Sequence, residues 1–181
     1  MHTHIVIKPF VSLTRIELQL ACDLLHSVWP TDNSTRVELS KYLDQHNDRR
    51  DCHVAFQLSE GGCQAHGEIF YRKMSSNGNG FTVACLASVC VAADMRGRGL
   101  GLEIVGTLFR WSQNHLPAPI LFQTGVAEFY EKLGCKKVNN VFINSTSPVP
   151  DRSPWWDKHI MVYDPRALWP TGVVDLNGPG F

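Results

Sequence analysis

The sequence predicts one mixed α/β (α+β) domain over residues 1–181, and three observations carry that reading. The length, 181 residues, is close to the roughly 150 of a single domain. Apolar residues make up 44% and charged residues 19%, enough to build a core and too apolar for a disordered chain. Strand-like runs are interleaved with amphipathic helical stretches, without a repeat, a heptad array or a domain linker.

Residues His4–Lys8 read as a short strand stopped by Pro9. Thr14 and Glu17 form a capping box, in which hydroxyl and carboxylate each satisfy a first-turn donor. Ile16, Leu20, Leu24 and Val28 then recur at helical spacing and give one apolar face, and Trp29-Pro30 ends the helix. A second helix is expected over 35–45 behind a Thr35…Glu38 capping box, followed by a polar loop over 46–51. Cys52–Leu58, Cys63–Met74 and Phe81–Val91 read as three strands, with turn signals at Glu60-Gly61-Gly62 and over 75–80. The third is nearly all apolar and small, which suits a strand buried on both faces. Leu102–Asn114 is a helix with Leu102, Val105, Leu108 and Phe109 on one side. Beyond Pro117-Ala118-Pro119 come a short strand, Ile120–Gln123, and a short helix, Val126–Leu133, closed by Gly134. Two final strands, Lys136–Ile143 and His159–Tyr163, flank a Ser/Pro-rich loop over 145–153, and residues 169–181 form an extended C-terminal tail.

Composition excludes several functions. The formal net charge is zero, which argues against nucleic-acid and membrane-surface binding through a basic field. No run of about 18 apolar residues offers a transmembrane helix, and the N-terminus lacks the pattern of a secretory signal. The six cysteines include no C-x-x-C pair, and the C-x-x-H of Cys63 and His66 has no companion at zinc-finger distance. They read as buried free thiols in a reducing cytoplasm, and no metal is expected.

The informative segment is Val89-Cys90-Val91 followed by Arg96-Gly97-Arg98-Gly99-Leu100-Gly101 and a helix. Glycines allow backbone N–H groups to approach a ligand, and a helix N-terminus adds unsatisfied donors and partial positive charge. With two arginines in the turn, these residues make an anion site suited to a pyrophosphate. The dinucleotide fingerprint G-x-G-x-x-G fails, because Leu102 or Ile104 falls on its last glycine, and no Gly-Lys-Ser/Thr completes a Walker motif. A general nucleotide-binding protein is therefore the weaker reading. R-x-x-G-x-G is met by Arg96, Gly99 and Gly101.

Farther along comes Phe129-Tyr130-Glu131-Lys132-Leu133-Gly134-Cys135. With these two motifs in this order the chain resembles the GNAT family, the GCN5-related N-acetyltransferases, whose motifs read (R/Q)-x-x-G-x-(G/A) and F-Y-E-K-L-G-F. Only Cys135 departs from the second. The resemblance covers most of the chain. It implies the acyl-CoA N-acyltransferase fold, with a mixed central sheet splayed at the cofactor site and flanking helices. It implies acetyl-CoA as cofactor, with pantetheine along Val89–Val91 and pyrophosphate on Arg96, Gly97, Arg98, Gly99, Leu100 and Gly101. An acceptor amine would attack the thioester directly, with a backbone N–H of the long strand stabilising the oxyanion. Tyr130 would protonate the departing thiolate, since a phenol pKa near 10 lies above the thiol's ~8.5. The alternative for Tyr130 is a core tyrosine on a short helix, and for the arginines a solvated turn.

Many relatives place a Glu on the long strand to deprotonate the amine, usually through water. Here Cys85–Val91 carries no carboxylate. Ser88 could hold a water, and Glu68 is the nearest alternative base, although a solvated strand residue is the more ordinary expectation for it. The His-Thr start, the Val-x-Val-x-x-Asp-x-Arg-Gly run and the tail distantly resemble aminoglycoside 2′-N-acetyltransferases, in which a strand Glu and the C-terminal aromatic residue are implicated at the acceptor site. Ala87 stands where that Glu would fall, and the chain ends in Phe181. The resemblance would give the Phe181 carboxylate and Asp175 a catalytic role toward a cationic amine; the alternative is a frayed terminus. His53, His66 and His115 read as structural. Trp29, Trp155, Trp156 and Trp169 flank loops and either line a cleft or cap the core.

The expectation is a cytoplasmic N-acetyltransferase acting on a primary amine of a small molecule, with a protein N-terminus or lysine as the alternative acceptor. No nucleic-acid or membrane partner is expected, and the family's habit of pairing suggests a homodimer. A non-catalytic acyl-CoA-binding module is the rival reading, favoured by the missing strand Glu and opposed by Tyr130.

Overall fold

The computed structural model describes residues 4–30, 40–44, 46, 49, 51–149 and 153–181. It is a mixed α/β structure with nine described strands and divides into two compact units. The first holds residues up to Phe70 with Ala87–Trp111, and the second Tyr71–Leu86 with Ser112–Phe181.

In the first unit β1 (Val6–Pro9) pairs antiparallel with β2 (His53–Ser59), Val6 opposite Phe56 and Pro9 opposite His53. Between them lie a 3-10 turn, Phe10–Ser12, and α1 (Arg15–Val28). The α1 capping box is present: the Glu17 N–H bonds the Thr14 hydroxyl at 3.2 Å, and the Thr14 N–H bonds Glu17 Oε2 at 2.9 Å. The carboxylate also takes Lys8 Nζ at 2.6 Å, tying the helix start to β1. That pairing turns Ile16, about 100° around the helix, outward. Ile16 is 73% exposed against expectation, and Ala21, Cys22 and Leu24 form the buried stripe. Trp29 caps the helix as expected. The predicted Thr35…Glu38 capping box lies outside the described residues, and residues 40–44 and 46 are helical.

β2 and β3 (Gly62–Ser76) form the predicted hairpin, Val54 opposite Glu68 and Phe56 opposite His66, with a register shift at Gln57/Leu58. β3 neighbours β4 (Asn79–Val91) in the sheet order β1-β2-β3-β4. A second 3-10 turn, Ala93–Met95, leads to α2 (Leu100–His115). Ile104, Val105, Leu108 and Phe109 of α2 are buried, whereas Leu102 in its first turn is exposed. Gly67 lets α2 approach the sheet: a Cβ there would stand 3.0 Å from Leu108 Cδ1.

In the second unit the strand order is β3-β4-β5-β8-β6, with β9 on β3 and β7 on β9. β5 (Ile120–Thr124) runs parallel to β4 in a short ladder, Ala84 opposite Ile120 and Cys85 opposite Leu121. β8 (His159–Tyr163) pairs antiparallel with β5 and with β6 (Lys136–Lys137). α3 (Ala127–Glu131) connects β5 to β6, and Gly134 follows with φ +82°. The predicted strand Lys136–Ile143 is broken into β6 and β7 (Val141–Ile143). Asn140, at the break, bonds the Pro170 and Gly172 carbonyls at 3.0 and 2.9 Å. It thereby secures the tail, which contains an unpredicted strand, β9 (Val173–Asp175). β9 lies parallel to β7 and meets β3 at Ser75↔Asp175. Among the described residues no helix is long and apolar enough to cross a membrane, and none of the six cysteines forms a disulfide.

Candidate active site

The glycine-rich turn adopts the conformation its sequence demands. Gly97 and Gly99 have φ of +74° and +83°, left-handed values that cost an L-residue about 1–2 kcal/mol. Nothing lies within 4 Å of where a Cβ would stand on either, so open space faces both backbones. Glu103 N–H makes the first i−4 bond of α2, to Gly99 O at 3.0 Å, which leaves the first-turn amides before it without intrahelical acceptors. Arg96 Nε donates to Val91 O and Arg98 Nη2 to Asp94 O, each at 3.2 Å. The guanidiniums thus brace the turn through backbone carbonyls, and the segment Arg96–Gly99 is exposed. The predicted cofactor residues are brought together: Val89, Cys90 and Val91 end β4, and Arg96 to Gly101 close the turn onto α2. Burial raises the Cys90 thiol well above its ordinary pKa, so it behaves as an inert apolar side chain.

Just before Val89, Ser88 has φ +54° inside β4. A non-glycine residue in this region costs roughly 1–3 kcal/mol and persists only where its surroundings enforce it. Its carbonyl accepts a 2.8 Å bond from His66 Nδ1. His66 is fully buried, and burial lowers its pKa, so the ring is neutral with its proton on Nδ1. Nε2 lies 3.1 Å from the Tyr42 hydroxyl.

His66 and Glu68 lie two residues apart on β3 and share one face of the strand, opposite Gly67. Glu68 is 0% exposed, which corrects its expected solvated setting. Its Oε2 receives Arg49 Nη1 at 2.5 Å and His46 Nε2 at 3.0 Å. Burial alone would raise the carboxyl pKa, but the His46 hydrogen bond and the charges of His46 and Arg49 hold it well below the ordinary range. A carboxylate so engaged is a poor base, and Glu68 is not free to deprotonate an amine. His46 also donates from Nδ1 to the Tyr42 carbonyl at 2.6 Å and stacks on Phe10 at 3.8 Å. Burial, with the Glu68 charge, raises the Tyr42 phenol. His46, Cys52 and Glu68 offer donor atoms within 4.8 Å of one another. The Arg49 cation already balances that carboxylate, and a dication beside it would face like charge. Sequence reading missed Tyr42, His46 and Arg49 and took His66 as merely structural; the available signal was the His66/Glu68 pair on one face of a strand.

The two residues assigned catalytic roles both lie in the second unit. Tyr130 sits on α3, buried, with its ring 4.4 Å from that of Phe122. Burial first, then the charges of Cys135 and Asp157, raise its pKa, so the phenol keeps its proton. Phe181 is 7% exposed, so the terminus is docked rather than frayed. Its carbonyl accepts from Gln123 Nε2 at 2.9 Å, and its ring meets Trp155 at 5.2 Å and the Arg72 guanidinium at 5.1 Å. Gln123 Oε1 in turn accepts the Trp156 and Asp157 amides at 3.0 and 2.9 Å. Asp175 is committed to the amides of Ser145 and Asn177, and these bonds outweigh burial to lower its pKa. Of the four tryptophans, Trp155 and Trp169 join an aromatic cluster around Phe142, while Trp29 and Trp156 are exposed.

The chain is similar in fold to several solved structures. A GNAT-family N-acetyltransferase (YhbS) from Escherichia coli, solved in complex with CoA, is 15% identical, with a TM-score of 0.64 over 98% of this chain and 92% of that one. An acyl-CoA N-acyltransferase from Pseudomonas aeruginosa is 15% identical, with a TM-score of 0.61 over 88% and 97%. Glucosamine-6-phosphate N-acetyltransferase from Arabidopsis thaliana is 19% identical, with a TM-score of 0.56 over 75% and 94%. At these identities the likeness is one of fold. No curated protein sequence matches significantly. The family model for the acetyltransferase (GNAT) domain matches residues 10–138, and the chain therefore belongs to the GNAT acetyltransferase family.

Proposed function

We propose that the protein transfers an acetyl group from acetyl-CoA to a primary amine of a small molecule, in a ternary complex. The observation that carries this reading is the turn at Arg96–Gly101, where two left-handed glycines face open space at the start of α2. Such a cradle fits a pyrophosphate, since a Cβ at either glycine would occupy the space beside the backbone donors. In this reading Arg96–Gly101 bind the pyrophosphate through amides and guanidiniums, and Val89–Val91 hold the pantetheine arm. Acetyl-CoA supplies the activated acyl group. The amine nitrogen bonds to the thioester carbon and the C–S bond breaks, while β4 backbone N–H groups stabilise charge on the acyl oxygen.

Tyr130 serves the departing sulfur. Its raised pKa keeps the phenol protonated. A phenol so far above a thiol pKa of about 8.5 stabilises the thiolate chiefly by donating a hydrogen bond, because full proton transfer is uphill. The amine loses its proton to solvent, since Glu68 is engaged by Arg49 and His46. Phe181, docked beside Gln123 and Trp155, remains our assignment at the acceptor end of the site. We place the reaction in the cytoplasm, and a homodimer fits the family habit.

Thermal melts with saturating CoA, acetyl-CoA, NAD and ATP test the cofactor. A ligand at about 100 times its Kd stabilises by about 2.7 kcal/mol, several degrees for this size. Only the two CoA species should shift the melt, and thiol release over a panel of amines then identifies the acceptor. Shifts by none of the four would overturn the reading. The commitment of Glu68 favours one rival, a non-catalytic acyl-CoA-binding module, which would show CoA binding without thiol release for any small amine or peptide.

A further inference from the structure

We infer that His66 is a positioning residue for acetyl transfer: by holding the Ser88 carbonyl it fixes the left-handed kink that sets the β4 backbone N–H groups at the reaction centre. The inference rests on the acetyltransferase reading and extends it to a residue outside both sequence motifs.

Three observations converge on it. Ser88 carries a φ of +54° in the strand that leads directly into the phosphate turn. Serine has no intrinsic preference for that region, so something outside the strand must enforce it. The bond from His66 Nδ1 to Ser88 O, at 2.8 Å, is a side-chain contact that reaches this backbone from β3. Finally, His66 is itself over-determined. The Ser88 carbonyl can only accept, which places a proton on Nδ1 aimed at Ser88, and the Tyr42 hydroxyl holds the other side of the ring, 3.1 Å from Nε2. Glu68 Oε1 lies 3.6 Å from Nε2, and the Glu68 carboxylate is anchored by Arg49 and His46. The buried cluster thus has a directional output, one N–H pointed at one carbonyl. Ion pairing alone does not explain why a fully buried histidine spends its only N–H on that oxygen.

The chemistry explains why rigidity there matters. Stabilising an oxyanion requires donors held in place before charge develops, and a misplacement near 1 Å costs on the order of 100-fold. A β4 kink free to relax toward extended geometry would swing its amides away from the acyl oxygen. Binding of the pyrophosphate at Arg96–Gly101, farther along the chain, would be little affected. The signature is therefore a fall in kcat at nearly constant KM for acetyl-CoA.

The test compares wild type, His66→Leu and His66→Asn by thiol release, with circular dichroism to verify folding. The Asn amide can place a donor near the position of Nδ1. His66→Leu should lower kcat by about 10- to 100-fold with KM for acetyl-CoA within about 2-fold, and His66→Asn should recover most of the loss. Equal kcat in folded His66→Leu and wild type overturns the inference. So does a folded His66→Asn as slow as His66→Leu, which would mean that the ring merely fills space. Should His66→Leu not fold, ¹⁵N-histidine NMR of the wild type decides: a protonated Nδ1 is required, and a bare Nδ1 refutes the inference. A wild type that binds CoA but releases no thiol with any amine overturns the acetyltransferase reading itself, and this inference with it.

Discussion

The phosphate cradle can be tested by a matched pair of glycine substitutions. Gly99 in the turn and Gly78 in the β3–β4 hairpin have φ of +83° and +76°, and neither has an atom within 4 Å of a built Cβ. Gly99→Ala and Gly78→Ala should therefore pay the same conformational penalty and no steric one. An L-residue forced into this region costs about 1–2 kcal/mol. At about 2–4 °C per kcal/mol for a chain of this length, each variant should melt roughly 2–8 °C below wild type. The backbone strain is present with and without ligand, so it cancels from the binding equilibrium. What does not cancel is the methyl group at residue 99, which would stand in the space beside the α2 first-turn amides. We expect Gly99→Ala to weaken CoA by at least about 10-fold in calorimetric titration, equivalent to about 1.4 kcal/mol, and Gly78→Ala to leave it unchanged. Equal CoA affinity in the two variants, alongside equal losses of Tm, would refute the cradle, because the shared strain would then be the only effect of either methyl.

Other consequences follow from groups already placed. Tyr130→Phe should lower kcat by about 100-fold with Tm nearly unchanged, since only a hydroxyl hydrogen-bonded to none of the described residues is lost; full activity would remove the phenol from the mechanism. Glu68→Gln leaves Arg49 and His46 without their buried carboxylate and should cost about 3–5 kcal/mol in urea denaturation at pH 7. Because the folded-state pKa of Glu68 is depressed, its contribution is complete above about 4.5 and is lost as pH falls below that toward the folded value. Wild-type stability should thus decline more steeply than that of Glu68→Gln below pH 4.5, and parallel declines would contradict the ion cluster. Gln123→Leu removes the acceptor of the Trp156 and Asp157 amides and the donor to Phe181 O. Hydrogen exchange at residues 156 and 157 should speed up about 10-fold or more; unchanged exchange would show that the tail is held without Gln123.

The legible parts of the fold were those whose cause is local. The Thr14/Glu17 capping box, the Glu60-Gly61-Gly62 hairpin and the glycine-rich turn that opens α2 each solve a backbone problem within a few residues, and each appears where the sequence placed it. The two family motifs were legible for the same reason, being contiguous. β9 was not. Its Val-Val-Asp is too short to declare itself, and it becomes a strand because β7 and Ser75 of β3 offer it partners about 30 and 100 residues earlier in the chain. Nor did Gln123 announce itself: a lone amide in a short strand gave no hint that it would tie Phe181 O to the 156–157 backbone.

The candidate site divides along the same line. A cradle made of backbone needs glycine, and glycine shows in a sequence. A kink made at serine does not show, because the force that holds it comes from His66, 22 residues earlier. Glu68 was misjudged for a related reason. An isolated carboxylate in a strand reads as solvated, because burying one alone is prohibitive. It becomes affordable only once Arg49 and His46, 19 and 22 residues upstream, supply two donors to a single oxygen. Those partners also decide its chemistry. A carboxylate buried alone has a raised pKa and makes a usable base, whereas the same carboxylate paired has a lowered pKa and makes an anchor. The sequence supplied the carboxylate but not its partners, so the choice between base and anchor lay wholly in the tertiary structure.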